Sequence, residues 1–210
     1  MNADVLARAW QAQSLLLGYP DDQLYARLGL LGRVADSLPG PVGQPLRGFL
    51  AHLGCTDAGR AAADYVATFD HRKRCCLFLT YYAHGDTRKR GMALLRLKQT
   101  YAAAGLHLVD DELPDHLAVV LEYAATAPEP GHQLLTEHRA GLELLRLALH
   151  DARSPWADVL DSVSATLPAL GGDIHAAVAR LAAEGPPEEQ VGLAPFPTPE
   201  FLPEPQGAHR

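Results

Sequence analysis

At 210 residues and 48% hydrophobic content, the chain can bury a substantial core, most simply as one domain with a tail. Its 18 Lys and Arg face 25 Asp and Glu, a formal net charge of −7. That balance argues against nucleic-acid binding, which relies on a basic footprint to release counterions. Three cysteines, two of them adjacent at Cys75 and Cys76, make no disulfide framework and fit a reducing, cytoplasmic setting.

No apolar stretch approaches the roughly 18 uninterrupted residues that span a bilayer, so membrane insertion is not expected. The opening "MNADVLARAWQAQSLLLGYP" has no basic start and no small-x-small site, unlike a signal peptide. Along the chain, Leu6, Ala9, Trp10, Gln13 and Leu17 line one face of a first helix that Gly18 and the following "YP" can end. "DDQLYARLGLLGRVADSL" gives a second helix, and "PGPVGQP" reads as a turn. A short helix follows near Pro45 to Leu53. The next runs from Thr56 to Phe69, with Thr56 or Asp57 as its cap.

"CCLFLTYY" could be a buried strand by its aromatics. A strand without partners cannot satisfy its backbone, so helix is the expectation. Leu94, Leu97, Tyr101 and Ala104 share a face of a helix from Asp86 to Ala104, ended by Gly105. Leu117, Val120, Leu121, Ala124 and Ala125 make a stripe after Pro114. Leu135, His138, Leu142, Leu145 and Leu149 make another. "SPWADVL" opens a helix with Ser154 as cap, and a last helix covers about 173–183. The expected fold is all-α, a single-domain bundle of about nine to ten helices over residues 1–184. Residues 185–210, rich in Pro and Glu, are expected to form a disordered tail.

Catalytic chemistry finds weak carriers. His71 and Cys75 share a helical side, with Asp70 and Cys76 near, but the paired spacings of a structural zinc site are missing and Arg72, Lys73 and Arg74 disfavour a cation. His150–Asp151, with His116 and Asp173, resembles the pattern of metal-dependent all-helical HD-type phosphohydrolases, whose His and carboxylate ligands converge on metals that activate water. A histidine near a helix C-terminus is also simply well placed in the helix dipole. No nucleophile elbow and no phosphate-binding loop is present. The expectation is no enzyme, no catalytic residue, no metal and no cofactor.

The charges are unevenly placed. Arg72, Lys73, Arg74, Arg88, Lys89, Arg90, Arg96 and Lys98 fall in a short span. Asp110, Asp111, Glu112, Asp115 and Glu122 follow without an intervening cation. Asp115 and Glu122 lie two helical turns apart and so are expected to project on one face. An acidic rim beside an apolar groove would suit a basic, amphipathic peptide.

The segment "YVATFDHRKRCCLFLTYYAHGDTRKRGMALLRLKQTYAAAGLHLVDDELPDHLAVVLEYAA" closely resembles the signature region of the respiratory nitrate reductase molybdenum cofactor assembly chaperones. These are the delta subunits (the NarJ family), relatives of the TorD-like redox-enzyme maturation chaperones. "TFD", "LTYY", "GDTRKRGMALL", "ELPDHL" and "VLE" occur in order over about sixty residues. The Cys75–Cys76 pair departs from the pattern, where a small polar residue is expected for at least one cysteine. The resemblance implies a non-catalytic cytoplasmic chaperone, outside the finished enzyme and carrying no cofactor itself. It would bind the immature catalytic (alpha) subunit of nitrate reductase, chiefly by its N-terminal segment, for molybdenum cofactor and iron–sulfur insertion before membrane docking. Molybdenum cofactor delivery proteins are further candidate partners.

On that resemblance, Tyr81 or Tyr82 offers a ring and a hydroxyl to the client, and Glu112, Asp115 and Glu122 form the seat of its basic peptide. Asp86 caps the next helix and, with Arg88, completes the client-binding set. Gly85 permits the reversal before that helix. Asp70, Arg72, Arg74 and Arg90 are expected in internal charge pairs, and Gly91 where another helix approaches closely.

Overall fold

The computed structural model describes residues 1–109, 112–185 and 187. Among them are eleven α-helices: α1 (Ala3–Leu17), α2 (Asp22–Ser37), α3 (Gly40–Gly54), α4 (Ala58–Phe69), α5 (Leu79–His84), α6 (Arg88–Ala103), α7 (Leu117–Thr126), α8 (Pro128–Glu137), α9 (Arg139–Asp151), α10 (Ala157–Ala165) and α11 (Gly172–Glu184). A 3-10 turn at Lys73–Cys75 precedes α5. The tail expectation for residues 185–210 falls almost wholly outside the described residues, as does the placement of Asp110 and Asp111.

Caps set most boundaries. Asn2 accepts the Val5 N–H at 2.9 Å, Asp21 the Leu24 N–H at 2.9 Å, and Asp57 the Gly59 and Arg60 N–H groups, each occupying a donor that the first helical turn leaves free. α1 lies against α7, while α3 packs on both α2 and α10. The centre is aromatic. Trp156 is buried beside Phe49, Tyr65 and Phe69 at ring separations of 5.5–5.6 Å, in the tilted and edge-on arrangements that ring quadrupoles favour. Tyr65 donates to the Leu17 carbonyl, and its burial raises the phenol pKa to about 12.

Polar groups that enter this core are bonded across helices. The Trp10 indole N–H donates to Thr166 at 3.0 Å, Gln13 to Ser162 at 2.8 Å, and Ser162 onward to the Val42 carbonyl at 2.8 Å. Three helices are thereby held in one register, because breaking any link strands a buried dipole.

Several expectations are corrected. "PGPVGQP" is not a turn but the opening of α3, since proline's fixed φ suits a first helical turn. Gly43 is required there, because a Cβ would collide with the Ala35 carbonyl. The stripe from Leu135 to Leu149 divides at His138 into α8 and α9. Thr87, not Asp86, occupies the cap position of α6, and Trp156 that of α10. "CCLFLTYY" is only partly helical. Phe78 bridges His116, with Leu79 N–H donating to Asp115 O at 2.9 Å and Leu117 N–H to Leu77 O at 2.8 Å. The extended segment found its partner across the chain, in "PDHL".

Candidate functional site

A cavity of about 650 Å³ lies between the 3-10 turn, α5, α9 and α11. Its walls are Tyr81 and Tyr82 from α5, Leu144, Leu147, Ala148 and Asp151 from α9, and Leu181 and Ala182 from α11. Arg72, Lys73 and Arg74, all exposed, stand at its edge. The result is an apolar groove with a cationic margin.

Tyr82 anchors the groove. Its hydroxyl donates into the carbonyls of Cys76 at 2.9 Å and Arg74 at 3.2 Å, fixing the 3-10 turn to α5. Burial, the largest cause, pushes its phenol pKa well up, so it stays a donor. α9 comes close enough that a Cβ on Gly141 would meet Tyr82 at 2.9 Å from its Cβ and 3.0 Å from its ring. Tyr81 is half-buried beside it, rings edge-on at 6.0 Å. Gly85 ends α5 at φ +56 and turns the chain toward α6.

A second cluster locks the back of α5. Thr80 donates to the Asp115 carboxylate at 2.5 Å, and Arg90 lies 3.6 Å from the same oxygen and 3.2 Å from Asp86. The Arg90 guanidinium also sits 5.6 Å from the centre of the Phe78 ring, within cation–π reach. Phe78 in turn meets the His116 ring edge-on at 5.4 Å. His116 accepts the Ala118 N–H on Nδ1, and burial lowers its pKa, so the neutral ring caps α7.

The structure thus separates the residues singled out from sequence. Tyr81, Tyr82, Arg72 and Arg74 share the groove. Asp86, Arg90 and Gly91 border a smaller hollow of about 330 Å³ with Leu113. Asp115 is 0% exposed and precedes α7 instead of lying on it. It therefore shares no helical face with Glu122 and cannot serve as a surface rim. Glu112 and Glu122 are exposed and line neither cavity, and Arg88 is exposed in the first turn of α6. Asp70 caps the end of α4 through its backbone, and among the described residues neither Arg72 nor Arg74 forms an ion pair with it. Open space surrounds Gly91. Close helix approaches occur instead at Gly141 and at Gly131, where a Cβ would strike Ala124.

The alternative metal constellation is dispersed into structural roles. His150 bonds Asp161 at 2.9 Å, Asp151 borders the groove, and Asp173 opens α11. No group of three or more His, Cys, Asp or Glu among the described residues is placed to hold a metal ion. Cys75 is buried, and burial raises its thiol pKa, the reverse of what a nucleophile needs.

Sequence reasoning missed α9's share of the groove. Leu144, Leu147, Ala148 and Asp151 recur at helical spacing opposite the stripe Leu142, Leu145 and Leu149. A second apolar face on one helix was the available signal.

Against this geometry, the profile of a family described as nitrate reductase delta subunit matches residues 35–161. The chain belongs to that family. It is 39% identical over 163 residues to the nitrate reductase-like protein NarX of Mycobacterium tuberculosis, covering 77% of this chain and only 24% of that relative's length. It is 31% identical over 180 residues to the Bacillus subtilis protein NarJ, covering 81% of this chain and 94% of NarJ. The nitrate reductase molybdenum cofactor assembly chaperone NarJ of Escherichia coli is 35% identical over 152 residues, 70% of this chain and 64% of its own. The fold matches a crystal structure described as that of a redox enzyme maturation protein from Archaeoglobus fulgidus. That match has a TM-score of 0.54 at 20% identity and covers 84% of this chain and 93% of the other. Delta-subunit membership and an all-helical fold are therefore established together. Within the family match lie the whole groove except α11, and the whole Thr80–Arg90–Asp115 cluster.

Proposed function

We propose that the protein is a maturation chaperone of nitrate reductase. It binds the immature catalytic subunit, chiefly by its N-terminal segment, while molybdenum cofactor and iron–sulfur clusters are inserted, and it leaves before the finished enzyme docks. It acts in the cytoplasm and catalyses nothing itself, and molybdenum cofactor delivery proteins are its further partners. No helix of the described residues is long and apolar enough to cross a membrane.

The observation that carries this proposal is the groove, an apolar trough bordered by cations and built largely from the segment that the family match covers. Its walls are leucine and tyrosine, with Leu147 still 44% exposed, so apolar surface is left for a partner. An amphipathic helix is the ligand that such a trough accepts, by laying its apolar stripe into it. The margin of Arg72, Lys73 and Arg74 favours the C-terminal end of that helix, which carries about half a negative charge. Affinity near micromolar, about −8 kcal/mol, is expected, because a chaperone must release its client.

Calorimetric titration of the full chain with a peptide from the N-terminus of a nitrate reductase catalytic subunit tests the proposal. Saturable binding is expected, and the attraction of the exposed cationic margin for the helix C-terminal end should weaken at higher salt. Absence of binding both to the peptide and to the whole immature subunit would contradict it.

A further inference from the structure

The helix that closes the groove, α11, is the one α-helix among the described residues with no buried residue; every other α-helix buries part of one face. Its apolar side, Ile174, Ala177, Val178 and Leu181, is only half-buried, and its main neighbour is α9. Gly171 offers no side-chain cap. At the other end Gly185 turns at φ +75, and the carbonyl of Pro187 then lies against Gly85, where any Cβ would collide with it. Pro187 therefore lies against the α5–α6 turn.

The fit beneath is loose. α11 covers Leu144, Leu147 and Ala148, yet about 650 Å³ stays unfilled between them and Tyr81. A helix of this length is marginal alone in water, so α11 depends on shallow packing against α9. Segments with little buried surface open locally without unfolding the rest. α11 is amphipathic, lies in an apolar trough, and sets its C-terminal residues beside Arg72, Lys73 and Arg74.

From this we infer that α11 is an internal stand-in for the client: the client's helix takes its seat, and α11 is displaced. The inference rests on the groove being the client's binding site, as proposed above. An amphipathic client helix with larger apolar side chains at the same spacing would fill the space that α11 leaves. Competition from α11 lowers apparent affinity by the fraction of molecules in which the groove is open, and so protects an empty chaperone from wrong partners.

The test uses full-length variants. Ile174→Asp with Val178→Asp removes the seating face, and Ala179→Pro breaks the helix by a different route. None of these residues lines the cavity, so the groove walls supplied by α5, α9 and the 3-10 turn keep their side chains. Binding of the client N-terminal peptide should tighten about three- to tenfold in both variants, and fluorescence of a hydrophobic dye should rise before peptide is added. In the wild type, hydrogen exchange at α11 should accelerate when peptide binds, while residues 144–151 become protected. Unchanged or weaker peptide binding in both variants, with α11 protected by the peptide, would overturn the inference and make α11 a wall of the site. Where no protein binds the peptide, the client proposal fails by itself. Dye fluorescence then decides the covering role of α11: a rise in both variants supports it, and no rise overturns it.

Discussion

α9 meets the molecule through two faces that are held in opposite ways. On one side Leu142, Leu145 and Leu149 are buried, and a chain of charges joins α9 to α10. Arg139 and Glu143 lie 2.9 Å apart, Glu143 and Arg146 2.7 Å, and Arg146 and Asp161 3.0 Å, with Ser164 donating to Glu143. On the other side Leu144, Leu147 and Ala148 line an open cavity, with the half-buried face of α11 as one of its walls. One face is satisfied and the other is not. The satisfied face positions a surface that the fold leaves available, which is what a transient binding protein requires.

The largest way to break that contrast is on the satisfied side. Glu143→Ala strands the guanidinium of Arg139, which is 4% exposed. Removing one partner of a buried pair costs about 3–5 kcal/mol, because the remaining charge is left desolvated. Urea unfolding should show this loss, with the midpoint falling and the slope unchanged.

On the open side the same helix should tolerate a charge. Leu147→Glu is expected to leave the unfolding midpoint near that of the wild type. Client-peptide affinity should nonetheless weaken by about tenfold or more, since it places a carboxylate in the apolar floor. Calorimetry on the folded variant checks both halves of this prediction.

Acid sharpens the contrast in a different way. Burial lowers the pKa of His116 and of His138, so the fold holds both rings neutral. The unfolded chain takes up their protons near the ordinary value of 6.5. Their stabilising contribution is therefore full above that value and is lost as pH falls through the lowered folded-state values. Unfolding free energies from about pH 8 to pH 5 should decline with acid, and His116→Gln with His138→Gln should flatten the decline. The smallest effect concerns the acids outside the groove. Glu112→Lys with Glu122→Lys should change peptide affinity by about twofold or less, through long-range charge that salt screens.

Much of the fold was legible because helices announce themselves locally. The stripes of α1, α2, α4 and α7 and the cap at Asp57 are patterns within a few turns of chain. The failures were non-local. Phe78 pairs with His116 across almost forty positions, so nothing near "CCLFLTYY" revealed that an extended segment would be satisfied. Asp115 looked like part of an acidic surface, whereas Thr80 and Arg90 draw it inside. Charge in a sequence carries no sign of burial, and only the partners decide it. Gly91 and Gly141 show the same limit: both are glycines within helices, but only Gly141 has a ring against it.

The most direct test of the groove is a residue-resolved amide NMR footprint of the client N-terminal peptide on the full-length protein. Shifts concentrated on Arg72–Cys75, on Tyr81 and Tyr82, and on Leu144–Ala152 are the predicted result. A footprint centred on Glu112 to Glu122, with the α9 face unmoved, would contradict the account.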